Sequence, residues 1–243
     1  MDLTDSAREI APGVYSLSQS QGGHVHAFLL DDGTGLTLLD TLYDTDAHRV
    51  LDALKALDRP VTDLKNIVLT HAHRSHLGGL AALKKLSGAT VWAHTWEADI
   101  IAGEREAQRV SPFPRSPFRV YYLQLGLAVG LGKHPPCAVD RPLKDGDHVG
   151  PVDVLHVPGH TPGSLAFYWP DRKALFAGDI IATWPRFEPG WKGFTLNFKQ
   201  SRASLGKLTE VSTAEILAVG HGEPVVGAGA EQVRAAYNMA AQW

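Results

Sequence analysis

Three histidines fall within six residues of one another, and the sequence on either side of them restricts what the chain can fold into. His71, His73 and His76 follow the apolar segment NIVLT at 66–70 and precede LGGLAALKKL at 77–86. The first segment predicts a buried β-strand, and the apolar spacing of the second predicts a helix. Because histidine is the most common metal-ligating side chain, this strand-to-helix junction has the composition of half a metal site.

Segments that predict strands and segments that predict helices occur in both halves of the chain. Apolar runs at 25–30 and 36–40 are separated by an Asp-Gly turn, which is typical of neighbouring strands. Residues 46–57 have apolar side chains at helical spacing and are followed by Pro60, which ends the helix. A second amphipathic run covers 201–211. Mixed strands and helices of this kind predict two packed β-sheets with helices outside.

One segment fits neither pattern. Residues from about 108 to 143 are rich in proline, glycine and aromatic side chains. Long irregular segments inside domains are often lids or binding loops, so this one is interpreted as a lid, a plain surface insertion or an oligomer contact. With no linker or repeat elsewhere, residues 1–243 are predicted to form a single domain.

The composition narrows the class of protein. Of the 243 residues, 44% are hydrophobic and 20% are charged, which favours a large core over disorder. The net charge of −3 argues against a nucleic-acid partner. We see no signal peptide and no apolar run long enough to span a membrane, and Cys137 is the single cysteine. We therefore expect a cytoplasmic protein with a small-molecule substrate, and the oligomeric state stays open.

Three later segments carry further metal-ligand side chains. His160 lies in GHTPGS, Asp179 in LFAGD and His221 in GHGEP, each where a strand-like run ends in glycine-rich turn sequence. Loops at strand ends are where rigid scaffolds display functional groups. Zinc is bound by neutral imidazoles and carboxylates in tetrahedral geometry, and a carboxylate can bridge two ions. The residue types thus favour a zinc centre with one or two ions.

The order and flanking sequence of these segments resemble the metallo-β-lactamase fold superfamily, in particular its glyoxalase II, lactonase and β-lactamase-like hydrolases. The resemblance covers essentially the whole chain. The first motif of the family is His-x-His-x-Asp-His, and here it stands as His71-Ala72-His73-Arg74-Ser75-His76. The fold that this resemblance implies is an α/β, four-layer αβ/βα sandwich, with two mixed β-sheets packed face to face and helices on the outer faces.

The resemblance also implies two metal sites that share a carboxylate. The first uses His71, His73 and His160, the second uses His76 and His221 together with the position of Ser75, and Asp179 bridges them. Ser75 replaces the anionic ligand of the family motif, and a neutral hydroxyl is a poor zinc ligand. We therefore expect one firmly held Zn²⁺ and a weaker second one. Ser75 itself is interpreted as a helix N-cap, as the holder of a water molecule, or as the mark of a lost activity.

The function implied by the resemblance is that of a zinc hydrolase. A zinc-bound water would attack an ester, lactone, thioester or lactam carbonyl, and Asp179 would orient that water or bridge the metals. Trp184 and Phe194, in the aromatic stretch after Asp179, and His26, near the predicted cleft, are candidates for contacting the substrate.

Two other functions stay open. The superfamily includes persulfide dioxygenases, and His71, His160 and Asp179 would supply the two-histidine, one-carboxylate face that holds Fe²⁺ in such oxygenases. Alternatively, Ser75 marks a degenerate member that binds metal without catalysis. Oxygen consumption with glutathione persulfide distinguishes the first alternative from hydrolysis.

Overall fold

The computed structural model describes residues 7–211 and 213–243, in which the strands form two mixed sheets. The seven-stranded sheet has the strands in chain order: β1 (Arg8–Ala11), β2 (Val14–Gln19), β3 (Val25–Asp31), β4 (Leu36–Leu39), β5 (Leu64–Val68), β6 (Thr90–His94) and β7 (Arg141–Leu143). Strands β1 to β4 pair antiparallel, and β4 to β7 pair parallel.

The six-stranded sheet is formed by the second half of the chain. Its strands are β8 (His148–Val149), β9 (Val152–His156), β10 (Leu165–Trp169), β11 (Ala174–Phe176), β12 (Ile216–Ala218) and β13 (Val225–Val226), in the spatial order β13-β12-β11-β10-β9-β8. The pairing is antiparallel except between β11 and β12, which are parallel. Both predicted sheets are therefore present and mixed.

The helices of the described residues flank these sheets. They are α1 (Gln21–His24), α2 (His48–Ala56), α3 (Arg74–Leu77), α4 (Leu80–Ser87), α5 (Thr95–Ile101), α6 (Tyr121–Ala128), α7 (Phe198–Leu208) and α8 (Gly229–Met239). None of them combines the length and the apolar character that crossing a bilayer requires.

Three apolar clusters hold the layers together. The cluster between the sheets contains Phe28 and Val68 of one sheet and Phe167 and Phe176 of the other. A second cluster joins the seven-stranded sheet to α2, α4 and α5, and a third joins the six-stranded sheet to α7 and α8. Each sheet therefore buries both faces, and the predicted four-layer αβ/βα sandwich is confirmed.

Three predicted elements differ from the structure. The helix predicted at 77–86 is interrupted, because the amides of Gly78 and Gly79 donate to the carbonyls of Leu42 and Thr41. The helix that the sequence predicts over about 95–107 ends at Ile101, and the chain turns at Gly103, whose φ is +76°.

The segment at 108–143, which showed no regular pattern, contains helix α6 and strand β7. Helix α6 lies against the edge where the functional side chains gather. Whether the segment acts as a lid stays a prediction.

Candidate metal centre

The predicted metal ligands come from four loops at one edge of the sandwich. His71 follows β5, His160 follows β9, Asp179 follows β11 and His221 follows β12. The amide of Leu165 donates to the carbonyl of Thr70 at 2.9 Å, which joins the two sheets beside these loops. The structure therefore brings together side chains separated by up to 150 residues in the sequence (221 − 71).

Four buried side chains make the first group, namely His71, His73, His160 and Asp179. Nδ1 of His73 lies 3.0 Å from Nε2 of His71 and 3.0 Å from Nε2 of His160. Oδ2 of Asp179 lies 3.7 Å from Nε2 of His71 and 3.5 Å from Nε2 of His160. Zn–N bonds of about 2.0–2.1 Å in a tetrahedron place ligand atoms roughly 3.3 Å apart, so the group fits a four-coordinate cation.

The second group shares the carboxylate of Asp179 with the first. Nε2 of His76 lies 3.4 Å from Oδ1 of Asp179, and Nε2 of His221 lies 3.1 Å from Oδ2. Oδ2 of Asp179 therefore faces histidines of both groups, while Oδ1 faces His76. The bridging role of Asp179 stays a prediction. This group has three ligand side chains, one fewer than the first.

Two atoms of this second group support its capacity for a cation. Among the described residues, Nε2 of His76 and Oδ1 of Asp179 are buried and have no hydrogen-bond partner. A buried polar atom without a partner costs about 1–3 kcal/mol, so such atoms usually mark a missing ligand. A cation between these two atoms would bind both.

Burial sets the protonation state of the first group. It lowers the pKa of His71 and His73 well below the usual range, and it lowers the pKa of His160 to about 4. These three imidazoles are therefore neutral near pH 7, which is the form that binds metals. Burial opposes ionisation of Asp179, but the surrounding histidines, led by His221, hold its pKa well below the usual range.

Gly220 leaves the space that the side chains of the metal centre occupy. A Cβ atom on Gly220 would lie 2.0 Å from Oδ1 of Asp179 and 2.9 Å from Cε1 of His76. Any other residue at position 220 would displace these side chains, which explains the requirement for glycine before His221.

Asp40 orients one side of the centre, a role that the sequence did not predict. Its buried carboxylate accepts hydrogen bonds from the amide and hydroxyl of Thr70, both at 2.8 Å. Its Oδ2 also lies 2.8 Å from Nδ1 of His76, which turns Nε2 of that ring toward Asp179. A carboxylate behind a ligating imidazole fixes its tautomer and increases its basicity.

The buried carboxylate of Glu97 links the loop that carries His71 and His73 to the loop that carries His160. Its carboxylate accepts from the amide of Ala72 at 3.1 Å, from the hydroxyl of Thr161 at 2.5 Å and from the amide of Gly163 at 3.1 Å. Ala72 lies between His71 and His73, and Thr161 follows His160. One buried side chain therefore fixes the spacing of the first group.

We expect Glu97→Ala to lower the free energy of unfolding by about 3 kcal/mol or more, because it leaves three buried donors without an acceptor. The measurement is urea unfolding with chelator present, so that metal binding does not contribute. The matched control is Glu106→Ala, whose carboxylate makes an exposed ion pair with Arg109 and should change stability by less than about 1 kcal/mol. Equal losses in both variants would contradict the role of Glu97.

Ser75 is not the helix N-cap. His73 occupies the N-cap position of α3, and Ser75 is the second residue within that helix. Serine favours N-caps, but here the packing of the His loop determines where the helix starts. The side chain of Ser75 instead lines the cavity next to the metal ligands. The prediction that it holds a water molecule stays open.

A cavity of about 300 Å³ opens onto the centre and contains His73, Asp179 and His221 in its wall. Of the three residues predicted to contact substrate, Phe194 lines this cavity. Trp184 lies behind the wall, where its carbonyl accepts a hydrogen bond from Nε1 of Trp191 at 2.9 Å. Trp191 itself lines the cavity and stacks on His221, with ring centroids 4.2 Å apart.

His26 is not among the residues that line the cavity. Its ring is buried, Nδ1 lies 3.0 Å from Oγ of Ser16, and Nε2 lies 3.8 Å from a carboxylate oxygen of Glu223. Contact between His26 and the substrate stays a prediction.

The family model for the metallo-beta-lactamase superfamily matches residues 21–221 of the chain. This range includes all six ligand side chains. The chain belongs to the metallo-beta-lactamase superfamily. It is similar to the uncharacterized protein YobT of Bacillus subtilis, with 24% identity over 208 residues that cover 82% of this chain and 83% of YobT.

A hydroxyacylglutathione hydrolase of Cereibacter sphaeroides is 31% identical over 161 residues, which cover 64% of this chain. The match spans 48% of the hydrolase, so the chain corresponds to about half of that relative. This superfamily member is therefore similar to one part of a hydroxyacylglutathione hydrolase.

Solved structures of the superfamily have the same fold. A metallo-beta-lactamase with an HARLDQ motif from Cronobacter sakazakii superposes with a TM-score of 0.73 at 23% identity, covering 98% of this chain and 87% of that one. TTHA1623, solved in a di-iron-bound form, superposes with a TM-score of 0.63 at 25% identity, covering 88% and 94%. The first likeness is one of fold alone.

Proposed function

We propose that this protein is a zinc-dependent hydrolase that cleaves an ester, lactone, thioester or lactam. One observation carries the proposal: three buried neutral imidazoles and a carboxylate converge on one point in the wall of a small-molecule-sized cavity. Hydrolase relatives in the same superfamily support the reaction class. His71, His73 and His160 would hold the first ion, with Asp179 beside the position left for water.

A zinc ion bound there would supply an activated water and polarise the scissile carbonyl. The protein's own side chains would orient the water molecule and shield the centre from solvent. Oδ1 of Asp179 has no hydrogen-bond partner, so the carboxylate keeps capacity to accept from a water molecule or to bind a second ion. Trp191 and Phe194 cover one side of the centre and exclude bulk solvent. The neutral state of His71, His73 and His160 leaves these three imidazoles free to bind the ion.

The second site, with His76, His221 and Asp179, is proposed to hold zinc more weakly than the first. It lacks a fourth protein ligand, since Ser75 offers a neutral hydroxyl where a carboxylate would contribute charge. The first site alone suffices for the proposed reaction, because three histidines and an open position make a catalytic zinc site.

The proposal is tested by measuring whether hydrolysis is lost when the metal is removed and returns when zinc is added. The purified protein is stripped with chelator and assayed on an ester, a lactone, a thioester and a β-lactam, before and after zinc is restored. We expect one of these classes to be cleaved by the zinc-loaded protein, with activity lost on stripping. Hydrolysis that is unaffected by stripping, or none of the four classes being cleaved by the loaded protein, would contradict the proposal.

An iron oxygenase is the second candidate. It is favoured by the two-histidine, one-carboxylate face of His71, His160 and Asp179, and by the di-iron-bound form of TTHA1623. Oxygen uptake by iron-loaded protein with glutathione persulfide is the decisive measurement. Uptake without hydrolysis of any carbonyl substrate would favour the oxygenase, and no uptake would remove it.

We expect Asp40→Asn to weaken binding of the second zinc ion, at the site that contains His76, by about 10- to 100-fold. The substitution keeps the size of the side chain but puts an amide where a carboxylate faces Nδ1 of His76. The measurement is competition for zinc with a coloured chelator. Asp153→Asn is the matched control, because Asp153 makes a similar contact with His148 on the exposed surface. Equal affinity in both variants would contradict the positioning role of Asp40.

A further inference from the structure

Helix α6 forms the apolar wall of the cavity at the metal centre. Leu123, Gly126 and Leu127 line the cavity, and their i, i+3 and i+4 spacing puts them on one face of the helix. Leu123 and Leu127 also pack against the cluster that contains Trp191 and Phe194. The cavity is thus a slot between α6 and two aromatic rings, with the metal ligands at one end.

The position of α6 is maintained by one buried polar side chain. Nε2 of Gln124 donates to the carbonyl of Ser111 at 2.6 Å and to that of Phe113 at 2.7 Å. Gln124 does not line the slot, and its two bonds tie α6 to the segment at 111–113 while Leu123, Gly126 and Leu127 line the slot. The helix is therefore fixed with a continuous hydrocarbon surface beside the centre.

The slot continues to an apolar rim. Tyr122 and Leu131 line the cavity, yet they are 62% and 74% exposed. Large apolar side chains with this exposure gain free energy when a ligand covers them. The hydrocarbon surface therefore extends from the metal ligands to the outside of the molecule.

The wall of the slot has few positively charged side chains that could bind a negatively charged substrate. In the part of the chain that the structure describes, Arg74 is the one arginine or lysine in its wall. The guanidinium of Arg74 donates to the carbonyl of Tyr43 at 3.0 Å and lies 4.1 Å from the centre of the Tyr43 ring. Its charge is therefore already engaged.

From this geometry we infer that the substrate carries a neutral, extended hydrocarbon acyl group, which lies in the slot between α6 and Trp191. The inference rests on the proposed hydrolase function and names its substrate class. The scissile carbonyl lies at the metal ligands, and the acyl chain runs along Leu123, Gly126 and Leu127 toward Leu131. Water is the co-reactant: its oxygen bonds to the acyl carbon, the bond to the alcohol or thiol breaks, and that leaving group takes the proton.

The test is a series of p-nitrophenyl esters from acetate to octanoate with the zinc-loaded protein. We expect kcat/KM to rise about threefold for each methylene added, until the slot is filled. An ester of the same length that ends in a carboxylate should lose this gain. A flat or falling series would overturn the inference, while metal-dependent cleavage of acetate in that same series would leave the proposed function standing.

Gly126 provides the matched variants. A Cβ atom on Gly126 would meet no heavy atom within 4 Å, and other residues favour helix more than glycine does. Gly126→Leu should therefore fold and fill the slot, lowering the octanoate-to-acetate ratio of kcat/KM by at least about tenfold. Leu125→Ala, on the outer face of α6, should leave that ratio unchanged.

Binding without turnover gives an independent readout. By calorimetry, octanamide should bind the purified protein more tightly than butanamide and with a negative heat-capacity change, and Gly126→Leu should abolish the difference. Equal binding of the two amides by the wild-type protein, or an unchanged preference in Gly126→Leu, would overturn the inference.

Discussion

Replacing His71 by alanine should remove the metal of the first site and lower hydrolysis by at least about 10³-fold, because the cation supplies several kcal/mol of transition-state stabilisation. Nε2 of His71 lies 3.0 Å from Nδ1 of His73 and faces Asp179. The truncated site would keep two imidazoles and one carboxylate. Metal content by mass spectrometry and kcat/KM on the best substrate should fall together.

The control for this variant is His148→Ala. His148 is exposed on β8, contacts Asp153 at the surface and belongs to neither ligand group. It should leave metal content and kcat/KM unchanged. Full hydrolysis by His71→Ala, at a metal content below that of wild type, would contradict catalysis by the first site.

Replacing Ser75 by aspartate should raise the affinity of the second site for zinc by about tenfold or more, since a carboxylate adds charge and a fourth ligand to His76, His221 and Asp179. Ser75 lines the cavity next to these ligands, so the new side chain has a path to them. Zinc per chain in the dialysed protein should rise from about one toward two.

Ser75→Asn separates charge from size in this experiment. Asparagine has the shape of aspartate without its charge, and it should leave the zinc content near the wild-type value. If Ser75→Asp and wild type hold equal amounts of zinc after dialysis, then Ser75 does not limit the second site.

The sequence predicted the centre because its ligands follow strands. His71, His160, Asp179 and His221 each lie in a loop at the end of a strand, and the sheets bring those ends to one edge. This placement favoured a metal centre, and the resemblance to the family implied which side chains form each ligand group. The two mixed sheets were predicted for the same reason, since their strands are apolar runs separated by turns.

Contacts between distant segments were not predictable in this way. Asp40 and His76 are 36 residues apart, and nothing in the local sequence shows that one orients the other. Glu97 lies on a helix and contacts loops up to 66 residues away. His26 is near the ligand loops but is not among the residues that line the cavity, which the local sequence does not show either.

Helix α6 was not predicted from the sequence. Prolines and glycines dominate the residues around it, and its own sequence, YYLQLGLA, is apolar on every face, so it lacks the periodicity that marks a surface helix. That composition has a physical reason in the structure, where one face of α6 lines the cavity at the metal centre. The segment that sequence patterns could not explain is therefore the one on which the inferred substrate class depends.

The central claim is tested most directly by titrating zinc into the chelator-stripped protein while hydrolysis and bound zinc are followed together. Activity should be absent at the start and should rise in proportion to zinc until about one ion is bound per chain. Hydrolysis at the full rate in the stripped protein, or activity that appears only as a second ion binds, would contradict a hydrolase that works from His71, His73, His160 and Asp179.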